Sequence, residues 1–191
     1  MRMPDHFAIL AQPRRPWLDD AVLKEAFHRA TAQQHPDVAG GSGEGASALN
    51  AAYAVLRDPA GRLRHLLDLE WPGAAPAAVG IAPALADLFG KIAALRQTGA
   101  ALAKKEATAQ SPLARALLAG EHAAHRRNLE STLAELASAE TAAHDDLRAI
   151  DDGWPTRDET TRAPLAALQQ RFAFLAKWQA QLREDLFRLG A

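Results

Sequence analysis

The sequence predicts an all-α protein in which a small N-terminal helical domain is joined to a C-terminal antiparallel three-helix bundle. Apolar residues recur at spacings of three and four through most of the chain, which is the helical pattern. Proline and glycine cluster at a few places that interrupt this pattern. With 191 residues and 48% hydrophobic side chains, the chain can bury one ordinary core or two small ones. We expect residues 1–70 to form the first domain, 71–83 a linker and 84–191 the bundle.

Two helices are predicted before residue 35. A short first helix runs from Asp5 to Ala11 and is broken by the prolines of residues 12–16. The second extends from Leu18 to Gln34, with Asp19 as its N-cap. Its apolar face is predicted to contain Val22, Leu23, Ala26, Phe27 and Ala30.

The next two helices complete the first domain. The third is marked by Leu49, Ala52, Tyr53 and Leu56 and stops near Asp58-Pro59; the fourth runs from Ala60 to Leu69. The second and third helices are separated by a short polar loop, so we expect an antiparallel hairpin. Because Pro36 disfavours the helical conformation at His35, the tripeptide His35-Pro36-Asp37 should form a fixed corner at its tip.

Residues 71–83 shift towards Pro, Gly and Ala, which is typical of a domain boundary. The first bundle helix follows, and Thr98-Gly99 is expected to weaken or end it. The second helix starts at Ser111-Pro112, a cap followed by proline, and extends to Ile150. The predicted apolar stripes are Leu85, Leu88, Phe89, Ile92 and Leu95 on the first helix, and Leu113, Leu117, Leu129, Leu133, Leu136, Leu147 and Ile150 on the second.

The last helix, from about Pro164, carries a heptad-like seam in which Gln179 takes one position. The other seam residues are Leu165, Leu168, Phe172, Leu175, Leu182, Leu186 and Leu189. At about 100° per residue, Phe174 lies roughly 120° and Trp178 roughly 80° from the seam centre, so both should lie at the bundle edge or outside it. An exposed aromatic pair suggests a contact surface. In the alternative reading, the first bundle helix covers both.

Composition excludes several functional classes. The chain has no cysteine, which rules out disulfides and cysteine ligation of zinc or iron-sulfur clusters. The formal net charge of -1 provides no general attraction to nucleic acid. No apolar run reaches about 18 residues, so we expect no membrane span. The first residues lack the features of a secretion signal, and we expect a cytoplasmic protein.

Several motifs together resemble a J-domain, the module that docks on DnaK-type (heat-shock) chaperones and triggers their ATP hydrolysis. They are Phe27, His35-Pro36-Asp37, residues 50–59 and Arg62. The stretch Arg62 to Leu69 further resembles the ending found in the HscB family, the J-type co-chaperones of iron-sulfur cluster assembly. The resemblance implies a co-chaperone that stimulates a DnaK-type ATPase and delivers the iron-sulfur scaffold protein as its client.

The resemblance also assigns residues that bind the chaperone. His35, Pro36 and Asp37 would enter the interface between the chaperone's domains, with Lys24 and Arg29 on the preceding helix meeting an acidic patch. None of them would be a catalyst. In the alternative readings, Asp37 only caps a helix-ending turn, and Lys24 and Arg29 only form a solvated face.

The bundle resembles the client-binding domain of HscB more loosely, at residues 84–88 and 174–178. By this resemblance Leu85, Leu88 and Phe174 would hold the scaffold protein. The alternative for Leu85 and Leu88 is ordinary core packing. A different function also stays open: a J-domain protein whose bundle is a structural or oligomerisation module, with a client unrelated to iron-sulfur assembly.

Other polar clusters are predicted to have no chemical role. His122 and His125 are one helical turn apart, but a third metal ligand at a suitable spacing is missing, so we expect no metal or other cofactor. The acidic pairs Asp145-Asp146 and Asp151-Asp152 should be solvated at a helix end and in a turn. No nucleophile, base and orienting group occur together, so we do not expect an enzyme.

Overall fold

The computed structural model describes residues 3–33, 43–74, 83–154 and 159–190. Seven helices cover most of these residues, which confirms the all-α prediction. In chain order they are α1 (His6–Ile9), α2 (Asp20–Gln33), α3 (Gly43–Arg57), α4 (Pro59–Glu70), α5 (Pro83–Thr108), α6 (Pro112–Asp152) and α7 (Glu159–Gly190).

The contacts divide the chain into two compact units. Unit 1 comprises Met1–Val79 and Ala143–Phe172, and unit 2 comprises Gly80–Ala142 and Ala173–Ala191. The helices α6 and α7 therefore each contribute one part to each unit. Residues 75–82, most of the predicted linker, lie outside the described residues, and the division into 1–70, 71–83 and 84–191 stays a prediction.

The first half of unit 1 is a helical hairpin with two short helices around it. Asp19 caps α2, since its Oδ1 accepts the Val22 N–H at 2.9 Å, and Asp58 caps α4 in the same way through Gly61. Phe27 of α2 stacks on Tyr53 of α3 with ring centroids 4.4 Å apart, so the two helices pack against each other as expected.

The apolar face of α2 is narrower than predicted. Leu23 is buried, and Ala26, Phe27 and Ala30 are half-buried. Val22 is 55% exposed, so its assignment to the apolar face is wrong. The reason is angular: Val22 lies about 100° from Leu23, the centre of the buried arc.

A buried arginine ties α4 to the rest of unit 1. Arg62 is 2% exposed. Its Nε donates to the carbonyl oxygen of Pro16 at 2.9 Å, and its Nη1 donates to the carbonyl oxygen of Leu56 at 2.7 Å. A buried guanidinium needs such acceptors, because burial without them is costly.

The bundle of unit 2 combines α5 with the first part of α6 and the last part of α7. Four polar contacts between helices show the relative directions of the helices. They are Lys91–Glu135 (2.5 Å), Lys105–Glu121 (2.6 Å), Gln179–Glu140 (2.8 Å) and Arg126 with the carbonyl oxygen of Leu189 (3.2 Å). Residue numbers rise on one helix as they fall on α6, so α6 is antiparallel to both α5 and α7. The seam residue Gln179 is buried, as predicted.

The buried line of α6 differs from the predicted stripe. Leu113 and Leu117 are 71% and 66% exposed, so their placement in the core is wrong. Leu129, Leu136 and Leu147 are buried as expected. They are joined by residues outside the predicted set, namely Leu118, His125, Thr132, Ala143 and Asp151. Measured from Leu136, Leu113 and Leu117 lie about 140° and 100° around the helix, whereas the buried leucines lie within about 20°.

The glycines do not interrupt the bundle helices. Thr98-Gly99 neither ends nor breaks α5, which continues to Thr108, and α6 runs through Gly120. At Gly99 a Cβ would lie 3.0 Å from Nε2 of His125, so the glycine makes room for an imidazole of the facing helix. The last helix was expected to begin at about Pro164. In the structure α7 begins earlier, at Glu159, and Pro164 lies inside it.

Candidate functional site

The outer face of α2 carries the two predicted chaperone-binding cations. Lys24 and Arg29 are both exposed, and they lie about 100° and 120° from buried Leu23 on its two flanks. Arg29 donates to Glu25 Oε1 at 2.6 Å, one turn back along the same helix. This pair reduces the positive charge that α2 presents to a partner. The face is therefore weakly basic, with Lys24 as the cation nearest to the start of the helix.

The predicted corner between α2 and α3 falls in residues 34–42. His35, Pro36 and Asp37 lie outside the described residues, so their assignment to chaperone binding stays a prediction. The flanking helices are described, and the Phe27–Tyr53 stack joins them at 4.4 Å. The tripeptide thus connects two helices that pack on each other.

An aromatic cluster occupies one side of unit 2, where α5 and α7 meet. Trp178 is 6% exposed and lies between Phe174, with ring centroids 5.6 Å apart, and Phe89 of α5, at 6.3 Å. The expectation that Trp178 lies at the edge or outside is wrong, because the first bundle helix covers it. Phe174 is half-buried. Phe89, which was predicted to be in the buried stripe, is 61% exposed.

The two other predicted client-binding residues differ in accessibility. Leu85 is 8% exposed and contributes to the core of unit 2, whereas Leu88 is half-buried. Exposed apolar surface is thus provided by Leu88, Phe89 and Phe174, which we call the apolar patch. Phe89 is the residue that sequence reasoning missed. Leu95 lies equally far from Ile92, about 60° on the other side, and is buried, so the helical projection alone does not separate the two residues.

A second cluster lines a cavity of about 530 Å³ in unit 2. His122 and His125 of α6 reach it together with Glu106 and Asp185. The His122 Nε2 lies 3.7 Å from Glu106 Oε2, and burial lowers the pKa of His125, which favours its neutral form. Among the residues that the structure describes, no three His, Cys, Asp or Glu side chains are grouped so that they would hold a metal ion.

The acidic pairs at the end of α6 are not equivalent. Asp145, Asp146 and Asp152 are exposed, as predicted. Asp151 is 3% exposed, so the expectation that it is solvated is wrong. Its buried carboxylate accepts hydrogen bonds from the segment that precedes α2, which takes the place of solvent.

None of the helices within the described residues combines the length and apolarity needed to cross a membrane.

Known proteins resemble the chain in sequence over about a third of its length. No family model matches it. The co-chaperone protein HscB homolog of Burkholderia vietnamiensis is 36% identical over 72 residues, which is 34% of this chain and 41% of that protein. The mitochondrial J-type co-chaperone JAC1 of Saccharomyces cerevisiae is 38% identical over 52 residues, or 27% of this chain and 28% of that protein. The chain spans less than half the length of these curated relatives.

The fold resembles a solved structure over nearly the whole chain. Chaperone HscB from Vibrio cholerae superimposes with a TM-score of 0.58 and covers 97% of this chain and 99% of its own, at 16% sequence identity. At this level of identity the likeness establishes the shared fold. The sequence likeness adds relatedness to J-type co-chaperones over the matched third.

Proposed function

We propose that the chain, a J-type co-chaperone of the HscB family, stimulates the ATPase of a DnaK-type chaperone and delivers a client to it. The proposal rests mainly on one observation: in the sequence, His35-Pro36-Asp37 lies between α2 and α3, which pack against each other, and α2 presents the exposed cations Lys24 and Arg29. The related co-chaperones and the shared HscB fold support it. We propose no catalytic residue in this chain; its effect is on the chaperone's own hydrolysis.

Docking would combine a weak electrostatic attraction with one directed contact. Lys24 and Arg29 attract an acidic surface of the chaperone, although the Glu25–Arg29 pair weakens this term. Asp37 follows Pro36 in the sequence, and its carboxylate could accept a charge-assisted hydrogen bond from an arginine of the partner. Such coupling between two binding events is typically worth about 1–3 kcal/mol.

The client would bind to the apolar patch of unit 2. Phe89 and Phe174 both lie against buried Trp178 and expose apolar surface, and half-buried Leu88 adds apolar surface on α5. Leu85 acts indirectly, by packing beneath the surface. We infer that the client is the iron-sulfur cluster scaffold protein, because residues 84–88 and 174–178 are where the bundle resembles the HscB client-binding domain.

Docking is tested with the variant His35→Gln. This variant should keep the helical circular dichroism of the parent and lose the stimulation of a DnaK-type chaperone's ATPase at all concentrations. The matched control is His122→Gln, since His122 is a histidine of α6 in unit 2, outside the tripeptide and outside α2. Stimulation that survives His35→Gln would contradict the docking assignment.

Client binding is tested by the affinity for a purified iron-sulfur scaffold protein. Phe174→Ala and Leu88→Ala should each weaken binding by about tenfold or more, as expected for anchors at the centre of an interface. Phe187→Ala is the control, because Phe187 is a phenylalanine on the same helix, 77% exposed and outside the apolar patch. It should change the affinity by less than about twofold.

The same variants separate the alternative function, a J-domain protein with a structural or oligomerisation bundle. The exposed Leu113, Leu117 and Phe187, all outside the apolar patch, are the observation that favours it. In that case scaffold binding would be absent or would survive both patch variants. Sedimentation equilibrium would then show a dimer that Leu117→Ala or Phe187→Ala dissociates.

A further inference from the structure

The segment that leads into α2 is held by buried polar groups. Residues 14–17 lie between α1 and α2 and include Pro16, so they do not form a helix. The carbonyl oxygen of Arg14 accepts the indole N–H of Trp154 at 2.7 Å. The carbonyl oxygen of Pro16 accepts from Arg62 Nε at 2.9 Å. Side chains from α4 and from just after the end of α6 therefore bind the segment.

Asp151, in the last turn of α6, makes the most contacts with this segment. Its Oδ1 accepts the Trp17 N–H at 3.1 Å and Arg15 Nε at 3.0 Å, and its Oδ2 pairs with another nitrogen of the same guanidinium. The carboxylate is almost completely buried, while the Arg15 side chain is 42% exposed. One buried acceptor group thus fixes both a side chain and a backbone N–H just before α2 begins.

A second contact of α6 reinforces the same position. The Arg148 guanidinium lies over the Trp17 ring, 5.5 Å from its centroid, which is cation–π geometry. Trp17 is followed by Leu18 and by the N-cap Asp19, so only two residues separate the clamped N–H from the first residue of α2. Contacts with α6 therefore hold the backbone at the point where α2 begins.

We propose that Asp151 is a positioning residue for chaperone docking: by holding Arg15 and the Trp17 N–H it keeps the start of α2 in the arrangement in which Lys24 and Arg29 meet the chaperone. The inference rests on the proposed function. Hydrogen bonds depend strongly on direction, so this carboxylate constrains an angle that apolar packing alone would leave loose.

The predicted consequence is a change in affinity without a change in maximal effect. When only a fraction of molecules has the binding-competent arrangement, the apparent dissociation constant rises by the inverse of that fraction. If Asp151→Ala leaves about a tenth of the molecules competent, half-maximal ATPase stimulation moves to about tenfold higher concentration. Stimulation at saturation stays at the level of the parent, because the bound arrangement is the same.

The test uses the full chain and two readouts. The first is the dose–response of ATPase stimulation on a DnaK-type chaperone. The second is the distribution of distances between spin labels at Ala32→Cys and Ala149→Cys, two exposed sites in unit 1, which is practical because the chain contains no cysteine. Circular dichroism confirms that each variant is folded.

Three variants are compared with the parent. Asp151→Ala should broaden the distance distribution and shift the half-maximal concentration about five- to tenfold. Asp151→Asn should have a smaller effect, because its remaining side-chain oxygen can still accept the Trp17 N–H. If Asp151→Ala does not fold, Asp151→Asn is used for the test in its place. Asp152→Ala, the same change at the exposed neighbouring residue, should match the parent.

The outcomes separate the inference from the proposed function. Two results would overturn the inference. One is a folded Asp151 variant whose distance distribution is unchanged. The other is a folded variant whose distance distribution broadens while the half-maximal concentration stays that of the parent. A parent chain that does not stimulate the chaperone overturns the proposed function, whereas the distance measurement still decides whether Asp151 fixes the direction of α2.

Discussion

The buried guanidinium of Arg62 offers the strongest test of how unit 1 is held together. Burial lowers the pKa of Arg62, and the negative charges of Asp20, Asp58 and Asp151 act in the opposite direction. The group therefore remains a cation that donates to two carbonyl oxygens. Arg62→Met keeps most of the side-chain length and removes both donors.

The loss of stability follows from those two contacts. Leaving a buried carbonyl without its donor costs about 1–3 kcal/mol each, and relief from burying a charge offsets part of the sum. We expect Arg62→Met to lower the free energy of unfolding by about 2–4 kcal/mol, measured by urea denaturation followed by circular dichroism. The control is Arg64→Met, the same change at an exposed position of the same helix, which should cost less than about 0.5 kcal/mol. Equal effects of the two variants would refute the reasoning.

Three further predictions concern α2, the bundle helices and the response to pH. Replacing Glu25 by Gln removes the carboxylate that pairs with Arg29 one turn along α2. Half-maximal ATPase stimulation should then occur at about twofold lower concentration, and this difference from the parent should be smaller in high salt. Gly99→Ala places a Cβ 3.0 Å from Nε2 of His125, whereas Gly90→Ala meets nothing within 4 Å. Thermal unfolding should therefore show Gly90→Ala as the more stable variant, by about 1 kcal/mol or more. Burial lowers the pKa of His65 below the ordinary 6.5, so the unfolded chain binds a proton at a higher pH than the folded chain does. The free energy of unfolding is therefore highest above pH 6.5 and decreases as the pH falls through the lowered pKa. The urea concentration at the midpoint of unfolding should drop between about pH 7.5 and 5.5, and the drop should be smaller in His65→Gln.

Helix positions were largely predictable because they depend on local information. The caps Asp19 and Ser111 are short side chains that accept the N–H three residues later, and both do so in the structure. The seam of α7 follows from a regular three-and-four spacing, and its residues from Leu165 to Leu182 are buried. Local pattern and packing agree where a helix has one apolar side.

The wrong assignments have different causes. Leu113 and Leu117 lie about 140° and 100° from Leu136, outside the stripe that the buried leucines form, so a helical projection of the sequence already separates them. Trp178 lies outside the α7 seam and is buried where Phe174 and Phe89, which comes from another helix, lie against it. Packing between distant segments decides such positions, and periodicity within one segment does not contain that information.

The position of Asp151 shows the same limit for polar groups. In sequence it is one of two adjacent acids at a helix end, and its partner Arg15 is 136 residues away. Two neighbouring acids look alike until the fold places one of them beside unpaired donors. The exposed member, Asp152, behaves as the local pattern predicts, so the difference arises from tertiary contacts alone.

The distribution of these polar contacts has a physical reason. The segment before α2 contains Pro13 and Pro16, cannot continue a helix, and so leaves backbone groups that need partners elsewhere. Arg62, Asp151 and Trp154 supply those partners. Each of them pairs with a backbone group of the segment and at the same time restricts the direction of the chain. The entry to α2 is thereby specified by hydrogen-bond geometry, and this is why single polar substitutions there are expected to alter docking affinity while the helical fold persists.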